Sequence, residues 1–73
     1  MNNIFGERLK RVREEKNLTL EEIAQIIGLS KGTVSRYENG EIENIPLGRV
    51  EEIANILDVS PEWLIGWSDN RHS

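Results

Sequence analysis

The sequence predicts an all-α fold, a compact bundle of five short helices. Three observations carry this expectation. Apolar residues recur at spacings of three and four along most of the chain. No stretch sustains the alternation of a half-buried strand. Ser, Thr, Asn, Gly and Pro fall where helices would start and stop. The chain has 73 residues, 37% of them apolar. That suffices for one small core and is too little for a two-domain enzyme with a buried cleft. It contains no cysteine, so neither a disulfide framework nor a thiolate metal site can staple it, and capped, well-packed helices must hold it.

The first helix is expected from Ile4 to Lys16. Phe5, Leu9 and Val12 make one apolar stripe, and Asn17 supplies a left-handed stop. The second has the clearest start: Thr19 as N-cap, Glu22 three residues on as a capping box, and Leu18 with Ile23 as a hydrophobic staple. Leu20, Ile23, Ala24 and Ile27 then follow the helical period, and Gly28 ends it. The third helix starts at once, with Ser30 as N-cap and Leu29 and Val34 in staple spacing. It runs from Lys31 to Asn39 and buries only Val34 and Tyr37. An acidic loop fills 40–46. The fourth helix begins within 46–49 and buries Val50, Ile53, Ala54 and Leu57. Ser60 and Pro61 open a short fifth helix, in which Trp63 packs the core and which Gly66 ends. These elements make residues 1–67 one domain. Residues 68–73 are polar and are expected to form a flexible tail.

The formal net charge is −4, which taken alone argues against a polyanionic partner. The charge is unevenly placed. Residues 1–16 are net basic, through Arg8, Lys10, Arg11, Arg13 and Lys16. Residues 41–73 set only Arg49 and Arg71 against Glu41, Glu43, Glu51, Glu52, Asp58, Glu62 and Asp69. No apolar run approaches the roughly 20 residues of a membrane span, and the N-terminal residues lack a signal-peptide stretch. The expectation is a soluble cytoplasmic protein with no membrane partner. Catalysis finds no support. His72, the single histidine, falls in the tail, and no serine has a base in sequence reach. The adjacent pairs Glu14-Glu15, Glu21-Glu22 and Glu51-Glu52 diverge around their helices. Lys31-Gly32-Thr33 lacks the glycine order of a phosphate-binding loop. No metal-ligand spacing occurs, and no cofactor or small-molecule ligand is expected.

What remains is the outer face of the third helix. Two helices joined by a short glycine-containing turn form a helix-turn-helix unit, with small Ala24 at the crossing and Val34 packing the third helix back on the second. Lys31, Gly32, Thr33, Ser35 and Arg36 are then left outside. An α-helix fits the B-DNA major groove, where base edges display a readable donor and acceptor pattern. Lys31 and Arg36 can donate to guanine O6 and N7, and Thr33 offers a hydroxyl and a methyl. Gly32 costs about 1 kcal/mol of helix propensity against alanine, a cost that suits close approach to a ligand.

At this point the sequence resembles a family. Phe5-Gly6-Glu7-Arg8-Leu9-Lys10, Leu18 to Ala24, Gly28-Leu29-Ser30-Lys31, Ser35 to Gly40, Ile53-Ala54, Leu57 to Pro61 and Trp63-Leu64 are similar to the Cro and lambda-repressor (Xre-type) helix-turn-helix domain. Asn44 to Trp67 resembles the N-terminal domain of temperate-phage repressors in particular. The resemblance implies a lambda-repressor-like five-helix bundle with its helix-turn-helix in helices two and three. It implies base contact by Lys31, Gly32, Thr33, Ser35 and Arg36. Thr19, the Leu20 amide, Ser30, Asn39 and Gly40 would meet backbone phosphates. Arg13 and Glu38 match an internal ion pair of the family. The chain departs from the pattern at Glu41 and Glu43, where relatives often carry cations, and at Leu20, where many carry a polar side chain. Both departures weaken phosphate contact.

The function expected is therefore a sequence-specific, double-stranded DNA-binding transcriptional regulator, a repressor of bacterial or phage origin. It would act as a homodimer on a pseudo-palindromic operator, with Ile65 and Trp67 offering an apolar patch to the second subunit. The rival is a protein-interaction module of the antirepressor or antitoxin kind, in which the acidic surface has cost the fold its DNA affinity.

Overall fold

The structure is a computed structural model, and it describes residues 3–42 and 44–72. Glu43, one of the two loop acids singled out above, and Ser73 lie outside the described residues. Five helices follow in order: α1 (Ile4–Glu15), α2 (Leu20–Ile27), α3 (Lys31–Glu38), α4 (Leu47–Leu57) and α5 (Pro61–Leu64). Among the described residues there is no strand. α1 packs on α3 and α5, α2 on α3 and α4, and α4 on α5. The whole spans 27 × 25 × 20 Å.

Each helix stops for a local reason. α1 ends one residue earlier than its period suggests, with Lys16 as C-cap and Asn17 left-handed at φ 57°. Gly28 takes φ 74° after α2, a conformation that costs a glycine little. α3 ends at Glu38, one residue short of the expected Asn39, which caps it in the right-handed region. α4 ends on Asp58 at φ 59°, a left-handed cap that its sequence signals did not single out. Ser60 caps α5 through the Trp63 amide.

The core is one cluster drawn from every helix. Leu9, Val12, Ile23, Val34, Ile53 and Leu64 are its largest fully buried members. Val34 and Tyr37 are the two residues α3 buries, as its sequence pattern requires. Phe5 packs from the rim, edge-on to Tyr37 with ring centroids 5.5 Å apart. α1 and α3 approach so closely that a Cβ at Gly6 would stand 2.2 Å from the Tyr37 carbonyl oxygen. Here glycine is required by backbone contact alone.

The polar segment after α5 does not trail away from the bundle. The Arg71 guanidinium binds both oxygens of Glu15 on α1, and its carbonyl accepts from the Ser60 amide at 2.7 Å. Arg8 donates to the carbonyls of Trp63 and Ser68. The guanidinium carbons of Arg8 and Arg71 lie 4.8 and 5.0 Å from the Trp63 ring centroid. These contacts offset the chain entropy that composition alone would leave unopposed, and they hold residues 68–71 against α1 and α5.

Candidate nucleic-acid interface

Thr19 starts the helix-turn-helix. Its amide donates to Glu22 Oε1 at 2.8 Å, and its Oγ1 accepts from the Glu22 amide at 3.1 Å. This reciprocal box fixes the first turn of α2 and leaves the amides of Leu20 and Glu21 at its positive end. Thr19 is exposed and Leu20 half-buried against the core. Ala24 is buried on α2, which packs on α3. Leu29 closes the turn, its amide donating to the Ala24 carbonyl at 2.9 Å.

Ser30 opens α3. Its Oγ accepts from the Thr33 amide at 3.1 Å and lies 2.9 Å from the Thr33 hydroxyl. The Thr33 hydroxyl is thus already engaged within the chain, and the residue is half-buried. Lys31, Gly32 and Arg36 are exposed, and Ser35 is half-buried. A Cβ added at Gly32 would meet nothing within 4 Å, so its own fold does not demand glycine there. The Arg36 carbonyl accepts from the Glu41 amide, but its guanidinium has no hydrogen-bond or ion-pair partner among the described residues. Lys31 does have one: its Nζ lies 3.5 Å from Glu21 Oε1 on α2. Arg13, Thr19, Leu20, Glu21 and Lys31 line one open groove beside the first turns of α2 and α3.

The far end of α3 is anchored separately. Arg13 Nε donates to Glu38 Oε2 at 2.8 Å and Nη2 to Glu38 Oε1 at 3.1 Å, while Nη1 donates to the Leu18 carbonyl. The side chains retain only 14% and 6% exposure. The hydrogen bonds that Arg13 donates to the Glu38 carboxylate raise its pKa above the ordinary arginine value. Asn3, which sequence reasoning passed over, donates from Nδ2 to the Glu38 carbonyl at 3.0 Å and packs against Gly6 and Gly40. Asn39 is exposed and Gly40 takes φ 75° beside it. α3 is therefore held at both ends and along its buried stripe, with its cationic face outward. Ile65 and Trp67 are not on this surface. With Leu47, Glu51, Pro61 and Glu62 they line a separate shallow groove between α4 and α5, where Trp67 is 72% exposed. Among the described residues no group of His, Cys, Asp and Glu could hold a metal ion.

This geometry has known relatives. The helix-turn-helix family model matches residues 9–64, and the chain belongs to the helix-turn-helix family. A putative HTH-type transcriptional regulatory protein of Methanospirillum hungatei is 45% identical over 64 residues, 86% of this chain and 21% of that protein. A crystal structure of SinR, described as the master regulator for biofilm formation, in complex with DNA superposes with a TM-score of 0.75. It shares 33% identity over 84% of this chain and 97% of that one. The fold is also that of the P22 c2 repressor, at a TM-score of 0.77 and 22% identity, covering 89% of this chain and 97% of that one. The phage-repressor resemblance drawn from sequence is thus met by the fold, and relatives such as SinR of Bacillus licheniformis, 32% identical over 90% of this chain, are named HTH-type transcriptional regulators. The chain spans between 16% and 60% of the length of the curated relatives it matches.

Proposed function

We propose that this chain is the DNA-binding part of a transcriptional repressor that reads the major groove with α3 as a homodimer on a pseudo-palindromic operator. The observation that carries the reading is the outward presentation of Lys31, Gly32 and Arg36 by a helix fixed at both ends. The Arg36 guanidinium, with no hydrogen-bond or ion-pair partner among the described residues, supplies a fork of donors that matches guanine O6 and N7. The open first turn at Gly32 lets the helix backbone approach the base edges. Thr33 adds its methyl and Ser35 a short polar side chain. Thr19, the Leu20 amide, Ser30, Asn39 and Gly40 meet phosphates on either side and set the register. The SinR–DNA complex gives the same fold on the same class of ligand.

A single module this small makes few base contacts. Two copies reading half-sites about one helical turn apart multiply the affinity, and the apolar groove of Ile65 and Trp67 is the surface we assign to their contact. No helix among the described residues is long and apolar enough to cross a membrane, and we place the protein in the bacterial cytoplasm, with a phage source consistent with the P22-like fold.

Selection of binding sites from random duplex DNA at low salt tests the reading. The expected result is an enriched site with two inverted half-sites. Failure to enrich any sequence, together with stable capture of one defined protein partner, supports the interaction-module reading in its place.

A further inference from the structure

The groove beside the first turns of α2 and α3 contains one residue that opposes its neighbours. Thr19, Leu20 and Lys31 face the phosphate path in the proposed DNA complex, yet Glu21 lines the same groove. Its carboxylate is exposed and lies 3.5 Å from Lys31 Nζ, the ammonium on the first residue of α3. Both side chains remain well solvated, at 73% and 60% exposure, so the pair adds little to fold stability. Its effect falls instead on the ligand. A carboxylate at this point repels a backbone phosphate and holds Lys31, one of the two cations of α3, by its own charge.

We propose that Glu21 is a positioning residue that competes with DNA phosphate for Lys31, so that Lys31 adds to binding only where a base edge or phosphate outbids the carboxylate. This rests on the reading of α3 as a DNA-reading helix. The consequence is selectivity. On random duplex, Lys31 stays paired with Glu21, and the phosphate repelled by Glu21 further weakens the complex. On the correct site, pairing of the planar Arg36 fork with a base edge seats α3 deeply enough for Lys31 to exchange partners. Glu21 thereby lowers non-specific affinity more than specific affinity.

The test compares wild type, Glu21→Gln, Lys31→Ala and the double variant, each confirmed folded by circular dichroism. Each is titrated on its selected site and on random duplex across a range of salt. Glu21→Gln is expected to raise affinity for random duplex about three- to fivefold. It should steepen the salt dependence there by about one unit of log K against log salt, and narrow the ratio between selected and random sites. Lys31→Ala should cost more on random duplex in the Glu21→Gln background than in wild type. Equal affinities and slopes for wild type and Glu21→Gln, or weaker binding by Glu21→Gln, overturn the role of Glu21 alone. Absence of DNA binding by all four folded variants at low salt overturns the DNA-reading function itself, and the proposal with it.

Discussion

Arg13 and Glu38 join the last turn of α1 to the last residue of α3 by two parallel hydrogen bonds, 2.8 and 3.1 Å long. The guanidinium also takes in the Leu18 carbonyl, so one side chain ties together α1, the entry to α2 and the exit of α3. Both partners are nearly enclosed. A charge left alone in such a place is costly, whereas the pair as a unit is close to neutral against apolar replacement. Glu38→Ala should therefore lower unfolding free energy by about 3 kcal/mol. Arg13→Met with Glu38→Leu should recover much of that loss. Urea denaturation of the three chains measures the difference, and a loss shared equally by single and double variants would refute the account.

Two glycines separate fold from recognition. Gly6→Ala places a methyl against the Tyr37 carbonyl, and prising α1 from α3 should cost about 1–3 kcal/mol. Gly32→Ala enters open space and should stabilise α3 by up to about 1 kcal/mol, yet weaken DNA binding if the helix approaches the base edges there. Thermal melts and titrations on the selected site read the two effects separately.

Arg36→Ala should leave the melting temperature unchanged, because the side chain is exposed and has no hydrogen-bond or ion-pair partner among the described residues. On the selected site it should cost about 1–3 kcal/mol and relax preference at one base pair per half-site. Unchanged affinity and unchanged base preference would show that the groove geometry assigned to α3 is wrong.

The Arg71 guanidinium holds the Glu15 carboxyl below its ordinary value, mainly through their hydrogen bonds. A carboxyl depressed on folding stabilises the native state above its unfolded pKa, and the contribution fades as pH falls through the folded value. The strap of residues 68–71 should therefore stay closed from neutral pH down through about 4.5, the ordinary glutamate value, and open only in stronger acid. Trp63 emission in a Trp67→Phe background reports this opening. Glu15→Gln should abolish this acid-dependent change, leaving residues 68–71 held by Arg8 and by the Ser60 amide alone.

Trp67 is the most exposed large apolar side chain among the described residues. Trp67→Ala should leave stability nearly intact. If this face joins two copies on DNA, it should also convert cooperative occupancy of paired half-sites into independent binding. Band-shift titrations on full and half operators distinguish the two behaviours.

The parts legible in the sequence are those whose causes are local. Thr19 with Glu22, Ser30, Gly28 and the stripe Leu20, Ile23, Ala24, Ile27 lie within one or two turns of the features they create, and α2 and α3 follow from them. Arg13 and Glu38 are far apart in sequence, and only the family resemblance pointed to them. The strap was missed because its contacts have no local signal: Arg8 meets Ser68 and Arg71 meets Glu15 across more than fifty residues. Asn3 was missed for a similar reason, since its partner is the carbonyl of Glu38. In the candidate site, Glu21 reads from sequence as a solvated acid in a first helical turn. Only the fold brings it to Lys31.

The two anchors of α3 leave the residues at Gly32 and Arg36 without a structural duty. Its buried stripe, its Ser30 cap and its Glu38 tie sit elsewhere on the helix. Such a surface can be recoded one position at a time without refolding the scaffold. Transplanting the outer residues of another reader onto this α3 should hand over that reader's operator preference while the melting curve stays that of the host.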